Sequence, residues 1–201
     1  MNTHTIILAA GKGTRMNTNL PKVMQPLGGM SLIEHVISTA QEISKKITVV
    51  IGHQKNLLKE HLDEIDPIIE TVNQENQLGT AHAVKTASHL IQDDEKVLIL
   101  YGDVPLISNK TIQSLLDSEN KCTLLSMILS DPTGYGRIVS NEENLALKII
   151  EQKDASEDER KIKEVFTGIL LIDGSLLRPA LEEINNQNAA NEYYLTDLVE
   201  I

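Results

Sequence analysis

The feature that most constrains the fold is a regular alternation between short apolar runs and amphipathic segments with helical spacing. The helical segments start at hydroxyl side chains typical of helix N-caps, and Ser31 is followed by Glu34 as in a capping box. This alternation predicts an α/β layer fold with a mainly parallel sheet. The predicted strands, buried on both faces, are 5–10, 47–52, 67–72, 97–102 and 123–129, and the predicted helices start at Ser31, Thr80 and Ser108.

The pattern changes after residue 130, where three shorter runs predict the strands of a mixed-sheet lobe. These runs lie within 134–140, 144–153 and 165–173. The charged stretch 154–164 predicts an exposed connection or a short surface helix. Since no repeat, low-complexity tract or linker divides the chain, we expect a single domain over 1–201.

The charge of the chain is uneven along its length. The net charge is −11, yet residues 1–60 contain seven Lys or Arg and three acids, a net of +4. The remainder of the chain therefore carries −15. A mainly acidic surface repels the backbone of nucleic acids, so we expect no nucleic-acid partner. A small polyanion can still bind at a local basic loop.

Other features of the sequence predict a cytoplasmic protein without a membrane partner. The first residues lack the basic region of a signal peptide, and no apolar run reaches the length of a membrane span. The single cysteine, Cys122, borders an apolar run, which predicts a buried small side chain. The histidines are scattered, at positions 4, 35, 53, 61, 82 and 89, which disfavours a zinc site.

The stretch LAAGKGTRMNTNLPK, residues 8–22, follows the first predicted strand and gathers two glycines and three cations. A dinucleotide fingerprint requires a third glycine where this chain has Met16, and the spacing of a Walker loop is also missing. The small residues at its start let backbone N–H groups approach an anion closely. Arg15 offers a planar fork and Lys22 a compact charge to phosphate oxygens. We therefore predict a triphosphate-binding loop beyond the carboxyl end of the first strand.

This loop and six later motifs occur in the order seen in one known family. The chain resembles the sugar-nucleotide pyrophosphorylases from about residue 5 onward, most of all the uridylyltransferase domain of the bacterial bifunctional N-acetylglucosamine-1-phosphate uridyltransferases. The resemblance implies the nucleotide-diphospho-sugar transferase fold, a Rossmann-like α/β fold with a mainly parallel or mixed sheet flanked by helices and, here, a shortened C-terminal end. The motifs are QLGTAHAV (77–84), YGDVPLIS (101–108), DPTGYGRIV (131–139), EQKDA (151–155), TGILLID (167–173) and EYYLTD (192–197).

The resemblance implies a role for each residue that matches a family motif. It assigns Gln74 to the pyrimidine edge, with Gln77 as the nearest competitor, and Asp103 to the Mg²⁺ cofactor, which prefers few carboxylate ligands. The implied catalytic residues are Arg15, Lys22 and Asp103; the implied nucleotide-binding residues are Leu8, Ala9, Ala10, Gly11, Lys22, Gln74, Gly79 and Thr80; the implied sugar-binding residues are Tyr101, Gly102, Gly136, Glu151 and Thr167. Phe166 occupies a further sugar-binding position of the family but does not match its residue type.

The sequence departs from the family pattern in two places. Phe166 stands where the family has an asparagine that hydrogen-bonds the sugar. The ring either packs into the core or covers an apolar sugar face and alters sugar choice. The chain also stops at Ile201, before a further metal-binding asparagine, the last strands and the acetyltransferase β-helix domain of the family. We expect either a fragment or a shortened homologue.

The leading hypothesis is Mg²⁺-dependent transfer of UMP from UTP to N-acetylglucosamine 1-phosphate, which releases pyrophosphate. The partners are then UTP and a sugar 1-phosphate, and the oligomeric state is left open. Two alternatives remain: a uridylyltransferase for another sugar 1-phosphate, and a non-catalytic or weakly active nucleotide-binding homologue. A Rossmann oxidoreductase is ruled out by Met16.

Overall fold

A computed structural model describes residues 2–13, 16, 18 and 20–201 and shows helices packed around a central sheet. The α-helices are α1 (Leu32–Gln41), α2 (Lys55–Ile65), α3 (Thr80–Thr86), α4 (Asn109–Leu116) and α5 (Gly174–Glu183). The strands are β1 (Thr3–Leu8), β2 (Pro26–Leu27), β3 (Met30–Ser31), β4 (Lys46–Ile51), β5 (Glu70–Asn73), β6 (Lys96–Tyr101), β7 (Cys122–Ile128), β8 (Arg137–Ser140), β9 (Ala146–Ile150) and β10 (Glu164–Asp173).

The sheet has a parallel half and an antiparallel half. Four strands pair in parallel in the order β5-β4-β1-β6, and α1, α2 and α3 lie in the connections that parallel pairing requires. β10 runs antiparallel to β6, and its first half pairs with β8, which pairs with β9. The other edge of β10 pairs with β7, and β2 and β3 form a separate ribbon. The predicted α/β fold with a mainly parallel or mixed sheet is confirmed.

Strand β1 shows why the parallel half is stable. Ile6 and Leu8 belong to one buried cluster, whereas Ile7 and Ala9 belong to a second cluster. Successive side chains of a strand point to opposite faces, so the two clusters cover both faces of the sheet. Ile6 and Ile7 are both 0% exposed. A continuous apolar run is therefore the correct sequence signal for this strand.

Helix capping agrees with the sequence at two of three sites. The Ser31 side chain accepts from the backbone N–H of Glu34, and the Glu34 carboxylate accepts from the Ser31 N–H, which completes the capping box. Ser108 caps α4 through the N–H of Thr111. Helix α3 begins at Thr80 as predicted, but its N-cap is Gly79, so the prediction that the Thr80 side chain caps the helix is wrong.

The mixed sheet with short strands predicted after residue 130 is confirmed for β8, with 4 residues, and β9, with 5 residues, whereas the expectation of a short strand is wrong for β10. β10 has 10 residues, the greatest length of any described strand, and it inserts into the main sheet beside β6. The predicted burial of Cys122 is also wrong, because this residue is exposed at the start of β7. In the described part of the chain, β7 pairs with β10 alone, so it is only partly covered. The stretch 154–164 contains a short 3₁₀ turn, Glu159–Lys161, as the surface-helix alternative predicted.

Within the described ranges, none of the helices combines the length and apolar character needed to cross a bilayer.

Candidate nucleotide-binding site

A cavity of about 280 Å³ opens at the carboxyl ends of the parallel strands. Such strand ends share one edge of a sheet, which is where ligands bind in open α/β folds. The cavity brings together the segments expected on one rim: the loop after β1, the loop after β5 and the end of β6. Its lining residues are Leu8, Ala9, Ala10, Gly11, Gly13, Lys22, Val23, Gln74, Gln77, Gly79, Thr80, Ala83, Tyr101, Asp103 and Glu192.

The loop after β1 is held against the sheet by its backbone. The N–H of Ala9 donates to the Val50 carbonyl at 2.9 Å, and the Ala10 carbonyl accepts from the His53 N–H at 3.2 Å. Gly13 has φ +57°, and a Cβ there would lie 2.7 Å from the Cβ of Lys22. Only glycine fits this contact without strain, so Gly13 lets the backbone of the loop lie close to Lys22.

Lys22 and Asp103 form an ion pair across the mouth of the cavity. Lys22 begins the 3₁₀ turn Lys22–Met24, and Asp103 follows the last residue of β6 by two positions. The side chains are 44% and 23% exposed, so solvent and a ligand can reach both. Gly102 is buried, a Cβ there would lie 3.1 Å from Cγ1 of Val23, and its N–H donates to the Leu8 carbonyl at 3.0 Å. Arg15, the other cation expected at the triphosphate, lies outside the described residues.

Gln74 is a buried polar side chain at the opposite end of the cavity, and it is only 3% exposed. Its Nε2 donates to the Gly79 carbonyl at 3.1 Å and lies 2.9 Å from Nδ1 of His82. Gln77 also lines the cavity, but its Nε2 donates to the Gln74 carbonyl at 2.9 Å. Between the two glutamines, Gln74 is the one whose amide is fixed from two sides.

Residues 192–196 fasten the loop that contains Gly79. The Tyr193 N–H donates to the Leu78 carbonyl at 2.8 Å, and the Tyr193 carbonyl accepts from the Ala81 N–H at 2.9 Å. The Thr80 hydroxyl accepts from the Leu195 N–H at 2.9 Å, so it links the start of α3 to the same segment. Glu192 also lines the cavity, although the sequence assigned it no role beyond its place in the motif EYYLTD.

Of the residues expected to bind the sugar, Tyr101 lines this cavity, and Gly102, Gly136, Glu151, Phe166 and Thr167 are not among its described lining residues. Gly136 and Glu151 are neighbours, since a Cβ on Gly136 would lie 3.6 Å from Glu151 Oε1. Burial raises the pKa of Glu151, and a hydrogen bond from Thr196 Oγ1 at 3.2 Å acts in the opposite direction. Burial also raises the pKa of Tyr101, and the charge of Glu151 adds to this effect.

Phe166 and Thr167 do not line the described cavity. The Phe166 side chain is 6% exposed and belongs to the same core cluster as Ile138 and Ile149. Its N–H donates to the Gly136 carbonyl at 2.9 Å. The Thr167 hydroxyl donates to the Leu125 carbonyl at 2.8 Å. The core packing of Phe166 favours the first of the two interpretations that the sequence left open.

The donor set at Asp103 fits a magnesium ion bound together with a polyphosphate. Magnesium typically takes one or two protein carboxylates and completes its shell with phosphate oxygens and water. Asp103 supplies one reachable carboxylate at the edge of the cavity. In the part of the chain that the structure describes, no group of three or more His, Cys, Asp or Glu could hold a metal without such help.

The chain is similar to known proteins in sequence and in fold. The chain is 44% identical to the "Bifunctional protein GlmU" of Marinobacter nauticus over 199 residues, which are 98% of this chain and 43% of that protein. It therefore spans less than half the length of this relative. A crystal structure of UDP-glucose pyrophosphorylase complexed with UDP-glucose matches with a TM-score of 0.81 and 20% identity, over 100% of this chain and 86% of the other. At that identity the match shows the fold.

The family model of the MobA-like NTP transferase domain matches residues 5–189, nearly the whole chain. The expected resemblance to sugar-nucleotide pyrophosphorylases is thereby confirmed at the level of the family and the fold. The chain belongs to the MobA-like NTP transferase family.

Proposed function

We propose that this protein transfers UMP from UTP to N-acetylglucosamine 1-phosphate and releases pyrophosphate. The proposal rests on one observation: the same cavity is lined by the small residues of the loop after β1, by the Lys22–Asp103 ion pair and by the buried side chain of Gln74. A polyphosphate fits one end and a pyrimidine fits the other. The similarity to the GlmU of Marinobacter nauticus, 44% identical over 98% of this chain, supports this choice of substrates.

The reaction requires alignment and charge stabilisation more than a reactive side chain. An oxygen of the sugar phosphate attacks the α-phosphorus, a new P–O bond forms, and the bond to the bridging oxygen breaks as pyrophosphate leaves with the electron pair. The attacking phosphate is already ionised near neutral pH, so no general base is needed. Positioning and electrostatic stabilisation then supply most of the rate.

Four residues of the cavity have a role at the phosphates in this scheme. The backbone around Gly11 and Gly13 approaches the triphosphate, and Lys22 neutralises negative charge that develops on the leaving group. Asp103 would hold Mg²⁺. The bound ion would supply charge neutralisation for the phosphate oxygens. Because Lys22 and Asp103 neutralise each other without substrate, neither is left as a lone charge in the site.

The test is pyrophosphate release measured over a panel of nucleoside triphosphates and sugar 1-phosphates, with and without Mg²⁺. We expect release from UTP with N-acetylglucosamine 1-phosphate and little release without the metal. Release with another sugar phosphate alone would replace the acceptor in the proposal. Binding of UTP without release from any pair would identify a nucleotide-binding homologue without transferase activity.

A further inference from the structure

The geometry points to His82 as a positioning residue that determines base specificity: its ring nitrogen fixes the amide of Gln74 so that the cavity presents an acceptor to the base. This inference rests on the proposed function, because it concerns how that same site selects its nucleotide. Gln74 lines the cavity, whereas His82 stands behind it on α3. His82 therefore acts through Gln74 and does not itself touch the base.

The orientation of the Gln74 amide follows from its two neighbours. The Gly79 carbonyl can only accept a hydrogen bond, so the atom that faces it at 3.1 Å must be Nε2. The second hydrogen of Nε2 points to Nδ1 of His82 at 2.9 Å. Both amide hydrogens are then used, and Gln74 can offer a ligand only its oxygen.

An acceptor at this place distinguishes the two pyrimidines. Uracil carries a hydrogen on N3 and can donate to Oε1 of Gln74. Cytosine carries a lone pair on N3, so two acceptors would face each other. A buried polar group that loses its partner in this way costs about 1–3 kcal/mol, which corresponds to about 5- to 150-fold in affinity. Gln74, at 3% exposure, is buried enough for this penalty to apply.

The arrangement requires a neutral His82 with its proton on Nε2, because Nδ1 must accept. Burial lowers the pKa of His82 from its ordinary value of 6.5, and the charge of Lys85 on the same helix adds to this effect. The Lys85 ammonium is paired with Glu182 of α5 at 2.7 Å. From residues 192–196, Tyr193 places its ring 6.2 Å from the imidazole. A protonated imidazole would turn Nδ1 into a donor and oppose the Gln74 amide.

The decisive experiment compares the UTP-to-CTP ratio of kcat/KM in the wild type, His82→Ala and His82→Asn. The side-chain amide oxygen of Asn can take the position of Nδ1 and accept the same hydrogen bond without titrating. We expect His82→Ala to lower the ratio by about tenfold, the worth of one hydrogen bond to the positioned amide. We expect His82→Asn to keep the ratio, and both variants to keep the KM of the sugar phosphate.

The pH profile separates positioning from a structural role. In the wild type, the UTP-to-CTP ratio of kcat/KM should fall as the pH decreases below the ordinary pKa of histidine. In His82→Asn, the same ratio should not change with pH. His89→Ala is the matched control, since His89 is an exposed histidine in the 3₁₀ turn after α3. An unchanged ratio in His82→Ala, or an equal loss in His82→Asn, overturns the inference.

Equilibrium binding of UTP and CTP, measured by titration calorimetry with Mg²⁺, keeps the two proposals distinguishable. If no pair gives pyrophosphate but UTP binds more tightly than CTP in a His82-dependent manner, the transferase proposal fails and the role of His82 stands. If the wild type turns over both nucleotides equally well, the role of His82 fails and the transferase activity stands. If the wild type binds neither nucleotide, both are overturned.

Discussion

Replacing Gly79 by alanine should detach the loop that contains Gly79 from residues 192–196, which hold it in place. Gly79 has φ +119°, and a Cβ there would lie 2.7 Å from the backbone nitrogen of Tyr193 and closer still to its carbonyl oxygen. These are backbone atoms, so no side-chain rotation relieves the clash. The loop must move away from Tyr193, which breaks the bonds that link Tyr193 to Leu78 and Ala81.

The size of the effect follows from two separate causes. Alanine at a positive φ costs about 1–2 kcal/mol of backbone strain. Each of the two backbone hydrogen bonds to Tyr193 is worth about 0.5–1.5 kcal/mol net. We therefore expect Gly79→Ala to lower the free energy of unfolding by about 2–5 kcal/mol and to weaken UTP binding.

The matched control is Gly134→Ala. Gly134 has φ +90°, but a Cβ there would meet nothing within 4 Å, so this variant shares the strain and lacks the clash. It should lose only about 1–2 kcal/mol and keep its affinity for UTP. Urea denaturation and calorimetric titration with UTP measure both quantities. Equal losses of stability and unchanged UTP affinity in the two variants would refute the reasoning.

Three further predictions concern the phosphate end of the cavity, the distant end of the sheet and the core behind the sugar residues. Lys22→Ala should reduce kcat for pyrophosphate release by about 10²–10³-fold, whereas Lys12→Ala, on an exposed residue of the same loop, should change it little. Burial lowers the pKa of His4 from 6.5 in the folded protein, so the unfolded chain binds more protons at this residue. The stability that neutral, buried His4 contributes is therefore present above pH 6.5 and is lost as the pH falls toward the pKa of the folded state. His4→Gln should flatten that part of the stability–pH curve, measured by denaturation between pH 5 and about 8, and an unchanged slope would contradict it. Phe166→Leu should lower the free energy of unfolding by about 1 kcal/mol and leave the KM of the sugar phosphate unchanged. A changed KM would indicate that the ring contacts the sugar.

Local sequence patterns predicted the parallel half of the sheet well. The apolar run of β1 and the capping box at Ser31 depend on residues a few positions apart, so they can be read directly from the chain. The rim position of Lys22 and Asp103 also follows, because parallel strands place their carboxyl ends on one edge. Their ion pair is the direct consequence of that shared edge.

Contacts between distant parts of the chain account for the features that the sequence did not predict. Thr80 has the residue type of an N-cap, but its hydroxyl is used by Leu195, 115 positions away. The insertion of β10 beside β6 likewise depends on pairing between segments about 70 residues apart, which no local pattern encodes. The exposure of Cys122 follows from the edge position of β7. Where a residue has both a local and a long-range partner available, the sequence shows only the local one.

The same long-range contacts have a consequence for catalysis by alignment. Residues 192–196 hold the nucleotide loop through Tyr193 and Leu195, and they hold Glu151 through the hydroxyl of Thr196. One segment therefore sets the relative position of the proposed base site and the proposed sugar site. Since an error of about 1 Å in alignment can cost about 10²-fold in rate, we expect substitutions that displace this segment to lower turnover. Glu192, at the start of the same segment, also lines the cavity, so we expect its negative charge to disfavour the binding of a second anion there.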